Sequence, residues 1–343
     1  MAEVVLVTEL EYAKAEAFFR SQTDVAAMVA PFAEEALAET VLRHSARAVI
    51  LGAKPYHGRL YEALGTTGRA RGAILARFGV GHDGVDKAQA RQQGIVVTNT
   101  PGVLDASVAE HTLWLLGSLV RHVARLDARM RAGQFAGEAG AELSGKTLGV
   151  IGFGNIGRRV AAMAHFGFGM RVLAADSRSA QQLQAADGRP LEAILGTYGV
   201  EFYSQDCDAV FRAVDAVSIH LPATAATQGF VDARRLGLMK PGSLLVNTAR
   251  GSVVDEVALY DALATGQVAG AGLDVFVREP YEPVLSEKDL RRLENVVLTP
   301  HVGSNTREAN LRMAQSALAN VRHFLAGAMD ELARVDAPAD RGS

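Results

Sequence analysis

KTLGVIGFGNIGRRVAAMAHF, residues 146–166, decides the fold. An apolar, β-branched run enters Gly152-Phe153-Gly154-Asn155-Ile156-Gly157 and passes directly into a segment of helical patterning. In that strand-to-helix setting the first glycine permits a tight turn and the second lets the backbone approach a pyrophosphate. The third allows the helix to pack closely, and free N–H groups at the helix start face the anion. A further strand-like run, RVLAAD from Arg171, ends on Asp176 about twenty residues past the last glycine, where an acid accepts hydrogen bonds from the adenosine ribose hydroxyls. The motif therefore predicts a dinucleotide site. Asp176 repels a 2′-phosphate and favours NAD over NADP, although Ser177 and Arg178 follow at once and would accommodate that phosphate if the acid turned away.

Working outward, short apolar runs recur on the amino-terminal side: VVLV from Val4, AVIL from Ala48, AILA from Ala73 and IVVT from Ile95. A denser series follows the glycine motif: RVLAA from Arg171, AVSI from Ala216, SLLVN from Ser243, AGLDV from Ala271 and NVVLT from Asn295. Such runs, separated by helical stretches, predict two doubly wound α/β units with parallel sheets. The expected organisation is a substrate domain over 1–101, a nucleotide domain over 102–304 inserted in it, a helix over 305–335 that completes the first domain, and a polar tail over 336–343. Leu311, Ala314, Leu318, Val321 and Leu325 give that last helix one apolar stripe. Between the series, a segment from about Asp105 to Arg131 is apolar on nearly every face around LWLLGSLV, so it must be covered all round, between domains or against a second subunit. The latter reading predicts a homodimer.

With 343 residues, 49% hydrophobic and 21% charged, the chain is long enough for two cores and has no signature of disorder. Its net charge of −3 and scattered cations argue against nucleic acid or anionic lipid as partner. Acidic residues at the amino terminus do not fit a signal peptide, and no run reaches about 18 apolar residues, so a cytoplasmic location without membrane contact is expected. The single Cys207 excludes an internal disulfide, and no His, Asp and Glu cluster at ligand spacing suggests a metal.

Three further strand ends carry charge beside glycine or proline: NTARGSVVDE around Arg250, LDVFVREP around Glu279, and LTPHVGS around His301. Reducing a 2-oxo acid needs a cation for the carboxylate and carbonyl oxygen, a hydride donor, and an acid able to give a proton near neutrality. Arg250 supplies a planar guanidinium, His301 the natural acid and base, and Glu279 a carboxylate to orient the imidazole and favour its charged form. Taken singly, each suits an ion pair, an exposed acid or a capping residue; jointly they suit catalysis. In order and spacing these motifs, with GFGNIG, resemble the D-isomer-specific 2-hydroxyacid dehydrogenase family from about Arg77 to Leu325.

The resemblance implies an NAD-dependent oxidoreductase acting on a small 2-hydroxy or 2-oxo acid, such as glyoxylate, hydroxypyruvate, pyruvate or 3-phosphoglycerate. It implies cofactor contacts by Gly152, Gly154, Asn155, Ile156, Gly157, Asp176, Thr248, Ala249, Arg250, His301 and Gly303. It also assigns Asp274 to the nicotinamide carboxamide and sets His220 and Pro222 along the adenosine side, where either residue equally suits packing. In Phe78-Gly79-Val80-Gly81 the resemblance gives the N–H groups of Val80 and Gly81 to the substrate carboxylate, though the glycines also fit a plain turn. Lys54 fits a solvated loop, or a contact to a second anionic group. Asn99-Thr100-Pro101-Gly102 resembles the first of two hinges, the second following His301, and such hinges imply closure of a cleft between domains.

Two departures stand out. The segment SRSAQQLQAADGRPLEAILGTYG after Asp176 is longer than usual, and PYEPVLSEKDLRRLENV after Glu279 lacks the usual Pro-Leu and tryptophan pattern. An acid at Glu279, where formate oxidation on a similar fold uses glutamine, argues against that reaction. The alternative from another class is an NAD-responsive binding protein of corepressor type on the same fold.

Overall fold

The computed structural model describes residues 2–335; the tail expected over 336–343 lies outside the described residues. One compact unit gathers the chain up to Leu104 and from Asn305 onward, and the other spans Asp105–Ser304.

In the first unit, β1 (Glu3–Thr8), β2 (Val25–Ala30), β3 (Ala48–Leu51), β4 (Ala73–Arg77) and β5 (Ile95–Thr98) form a parallel sheet in the order β2-β1-β3-β4-β5. Every residue of β3 and β4 is buried, as a sheet covered by helices on both faces requires. The sequence pattern did not single out β2. It lies at the sheet edge, and VAAMVA carries three alanines in place of the branched residues that mark its neighbours.

The helix Arg307–Ala326 belongs to this unit and packs on β4, β3 and the short helices Glu9–Lys14 and Glu16–Arg20. Thr306 caps it through Oγ1, and Gly327 ends it in the left-handed conformation. Its buried face differs from the expected stripe. Ala314, Leu318 and Val321 point inward as expected, but Leu311 is exposed and Leu325 half-buried, while Met313, Ala317 and Phe324 are covered. Asn310 and Asn320 are also buried on this face, which an apolar stripe cannot reveal.

The second unit holds β6 (Thr147–Ile151), β7 (Arg171–Ala175), β8 (Phe202–Ser204), β9 (Ala216–Ile219), β10 (Ser243–Asn247), β11 (Val268–Leu273) and β12 (Val296–Leu298). All pairs are parallel, in the order β12-β11-β10-β9-β6-β7-β8. Strand order reverses between β6 and β9, where Val150 lies opposite Ser218. In open α/β sheets a ligand crevice forms outside the carboxyl ends of strands at such a point. The unexpected β8 is a three-residue edge strand with Phe202 exposed. The long segment before it folds into two helices, Ala180–Asp187 and Leu191–Tyr198, the first opened by a capping box of Ser179 and Gln182.

The apolar segment expected as one covered helix is two. Asp105–Val120 buries Leu113, Leu115, Leu116 and Leu119, the chain breaks at His122 (φ +55°), and Val123–Arg131 buries nothing. Within the chain the first helix is not covered all round, since Trp114 is 73% exposed. Among the described residues, no helix is long and apolar enough to cross a membrane.

Candidate active site

The expected site residues of the second unit gather at strand carboxyl ends. β6 runs into Gly152, whose φ of +97° and close approach to the His220 carbonyl exclude a side chain. A Cβ on Gly157 would lie 2.1 Å from the Gly152 oxygen, whereas one on Gly154 would meet nothing within 4 Å. The second glycine thus borders open space, as close approach by a phosphate demands. Gly154 opens the helix Asn155–Ala162, and the N–H groups of Gly154, Asn155 and Ile156 find no acceptor within the described protein. Such a helix start suits a dinucleotide pyrophosphate.

Asp176 follows β7 and is nearly buried. Its carboxylate accepts hydrogen bonds from Phe153 N (2.7 Å), Arg178 N (3.0 Å), Arg178 Nε (2.9 Å) and Arg178 Nη2 (3.0 Å). Burial pulls this carboxyl upward, but the guanidinium and the N–H groups outweigh it and hold the acid below the usual carboxylate range. The same guanidinium donates to the Phe153 carbonyl at 3.0 Å, so the acid has not turned away from the glycine turn. His220, after β9, meets Ser218 Oγ through Nε2 at 2.7 Å. Part of its surface is open, yet protein walls the imidazole closely enough that desolvation pushes its pKa down to about 3 and leaves it neutral. Pro222 is exposed.

At β11 and β12 the geometry tightens. His301 Nδ1 lies 2.7 Å from Glu279 Oε2, both side chains being more than a third exposed. Glu279 Oε1 accepts from Phe276 N at 3.0 Å, which fixes the carboxylate on its own turn. Burial raises the Glu279 carboxyl, but the bond to His301 and its charge outweigh this and leave it below the usual range. His301 stands in the left-handed region at φ +53°, an uncommon conformation for a residue with a side chain. Asp274 holds it there. The Asp274 carbonyl accepts from His301 N at 2.8 Å, and its carboxylate accepts from Val302 N (2.9 Å), Gly303 N (2.8 Å) and Thr299 Oγ1 (2.6 Å). His111 Nε2 lies 3.3 Å from the same carboxylate, and Asp274 is 1% exposed.

Arg250 follows β10. Asn247 clasps the turn, its Oδ1 accepting from Ala249 N (3.0 Å) and its Nδ2 donating to the Arg250 carbonyl (2.9 Å). A Cβ on Gly251 would sit 1.9 Å from the Phe276 carbonyl carbon, so only glycine lets the β10 turn press against the β11 turn that carries Glu279. The Arg250 charge is one of the groups that lower the Glu279 carboxyl. Thr248 is buried and meets Thr112 Oγ1 at 2.8 Å.

Val80 and Gly81 lie in the first unit, after β4, half-buried, and their N–H groups have no acceptor within the described protein. Lys54 is exposed, with Nζ 4.4 Å from the Phe32 ring centroid. Sequence reading missed His111, Asn247, Glu256 and Thr299. Glu256 is buried and accepts from Val277 N at 2.6 Å, steadying the loop before Glu279. NTARGSVVDE and LTPH, which contain Asn247, Glu256 and Thr299, carried the signal that could have found them; nothing near His111 did. Among the described residues, no group of three His, Cys, Asp or Glu is placed to hold a metal ion.

The fold and its glycine turn define a Rossmann-type dinucleotide-binding protein. Residues 113–303 match the D-isomer specific 2-hydroxyacid dehydrogenase, NAD binding domain. The chain is 40% identical to the hydroxypyruvate reductase of Thermotoga maritima over 242 residues, 70% of this chain and 73% of that protein. It is 40% identical to the glyoxylate reductase of Pyrococcus furiosus over 266 residues, 74% and 73% of the two chains. The crystal structure of an NADPH-dependent glyoxylate/hydroxypyruvate reductase from Sinorhizobium meliloti with NADP and malonate aligns over 100% of both chains, with a TM-score of 0.78 and 27% identity. The chain belongs to the D-isomer specific 2-hydroxyacid dehydrogenase family.

Proposed function

We propose that this dehydrogenase uses NADH to reduce small 2-oxo acids, glyoxylate (to glycolate) and hydroxypyruvate (to D-glycerate) foremost, and catalyses the reverse oxidation with NAD. The named activities of its relatives support the substrate class. The observation that carries the mechanism is the 2.7 Å pair of His301 Nδ1 and Glu279 Oε2 on a left-handed backbone.

The N–H groups of Val80 and Gly81 hold the substrate carboxylate, and Arg250 polarises the carbonyl. When bound, the reduced nicotinamide supplies the hydride. His301 gives its proton from Nε2 to the carbonyl oxygen, because Nδ1 is committed to Glu279, and in oxidation takes the hydroxyl proton back. Glu279, its carboxyl held below the usual range, stays ionised and fixes the ring through Nδ1. Glu279→Gln removes that charged acceptor, so kcat for reduction should fall by about tenfold or more with the imidazole still present, as initial rates at saturating substrate would report. An unchanged kcat would separate Glu279 from the proton step.

The Asp176 carboxylate, kept beside the glycine turn by Phe153 N and Arg178, supports NAD over NADP, because an acid there would accept from the ribose hydroxyls and repel a 2′-phosphate. Asp176→Ala should free Arg178 for that phosphate and raise kcat/KM with NADPH relative to NADH by at least about tenfold. Initial rates with both cofactors against glyoxylate, hydroxypyruvate, pyruvate, phenylpyruvate and 3-phosphohydroxypyruvate test the whole reading. Equal efficiency with NADPH in the wild type would overturn the cofactor preference.

The uncovered face of the helix Asp105–Val120 supports a homodimer. Trp114, Val123, Met130 and Phe135 are all exposed on successive segments, more apolar surface than isolated positions explain. Analytical ultracentrifugation should give a dimer for the wild type and a monomer for Trp114→Glu. A monomeric wild type would contradict this.

A further inference from the structure

The loop after β4 is pinned from within in a pattern that the reaction itself does not require. Phe78 N donates to the Leu51 carbonyl at 2.8 Å, and the Arg77 guanidinium donates to the Phe78 carbonyl. The Gly79 carbonyl accepts from Thr100 N at 3.1 Å, and the Val80 carbonyl accepts from Asn99 Nδ2 at 2.9 Å. Asn99 is in turn fixed on both sides of its backbone. Its carbonyl accepts from Asn320 Nδ2 at 3.0 Å, its N–H donates to the Ala333 carbonyl at 3.1 Å, and Asn320 Oδ1 accepts from Ala333 N at 3.0 Å. Asn99 and Asn320 are 8% and 5% exposed, so water does not compete for these bonds.

A trans peptide unit is planar, and its N–H and C=O point in opposite directions. The Gly79 carbonyl shares its plane with Val80 N–H, and the Val80 carbonyl shares its plane with Gly81 N–H. Fixing those two carbonyls inward, through Thr100 and Asn99, therefore turns outward the two N–H groups that have no acceptor of their own. Each inward bond also polarises its peptide and strengthens the opposite donor. The guanidinium of Arg77 lies beneath the turn, with its atoms 3.0–3.2 Å from where a Cβ on Gly79 (φ +138°) would stand.

We propose that Asn99, held by Asn320 of the carboxyl-terminal helix, is a positioning residue that aims the N–H groups of Val80 and Gly81 at the substrate carboxylate. This rests on the reading that those N–H groups bind the carboxylate. It gives a functional reason for burying Asn320 on a largely apolar helix face, and it couples the last helix of the chain to substrate affinity.

The test is steady-state reduction of glyoxylate by Asn99→Ala, Asn99→Leu and Asn320→Ala, with inhibition by oxamate and NADH binding by fluorescence. Asn99→Leu keeps the branched side-chain shape without its hydrogen-bonding atoms and guards against loss of fold through a cavity. The expected result is a rise of about tenfold in both KM for glyoxylate and Ki for oxamate, with kcat within about threefold and NADH affinity unchanged. A role in folding alone would leave this KM-against-kcat split absent in the folded fraction. Gly79→Ala, which must distort the loop itself, separates the two claims. If it raises KM and Ki while the Asn99 variants match the wild type, the positioning role is overturned and the carboxylate loop stands. If Gly79→Ala also leaves both constants unchanged, the loop is not the carboxylate site and both readings fall.

Discussion

His301→Asn is expected to lower kcat for 2-oxo acid reduction by about 10²–10⁴-fold, the range a positioned general acid contributes. The asparagine amide occupies similar space and tolerates the left-handed backbone at φ +53°, so the turn held by Asp274 survives and the loss reports proton transfer. NADH affinity should hold within a few-fold, because the glycine turn and Asp176 do not touch His301 through any bond in the structure. The loss should be larger than that of Glu279→Gln, which retains the imidazole. Stopped-flow absorbance at saturating substrate measures the effect, and wild-type kcat in this variant would remove His301 from the chemistry.

The second large effect is expected at Arg250. Arg250→Ala should lower kcat/KM by about 10²–10³-fold, the cost of deleting one donor aimed at a developing oxyanion. Arg250→Lys should recover little of it. A guanidinium presents a planar fork, whereas an ammonium is a point charge on a flexible stem, and the Arg250 backbone is already set by Asn247 and by the pressed turn at Gly251. Both kcat and KM should worsen, since the cation serves the bound ketone and the transition state. Full recovery by lysine would reduce Arg250 to a source of positive potential.

The class of fold was legible because its deciding signals are local. Central strands of a parallel sheet are apolar on both faces, and a glycine turn between strand and helix has few other uses, so β6, β9, β10 and their neighbours stand out in the sequence. β2 and β8 were not legible, since VAAMVA carries three alanines and FYS is only three residues long, whereas the opposite edges β5 and β12 keep branched runs. The break at His122 is set by one left-handed residue with no glycine to announce it.

At the candidate site, the sequence marks Arg250, Glu279 and His301 as charge beside glycine or proline at strand ends, and the structure brings Glu279 and His301 into contact. The residues that support them are not marked in that way. Asp274, given to the nicotinamide by resemblance, also accepts from the backbone of the His301 turn, and His111 reaches its carboxylate from 163 residues away in sequence, a pairing that only tertiary structure creates. Likewise, Asn320 interrupts an apolar stripe and looks like an imperfection until its bond to Asn99 is seen.

The measurement that tests the central claim most directly is reduction of hydroxypyruvate by NADH, with chiral analysis of the glycerate formed. The account predicts D-glycerate in a one-to-one ratio with NADH consumed, and its near disappearance in His301→Asn. No turnover with any 2-oxo acid, or formation of L-glycerate, would contradict it.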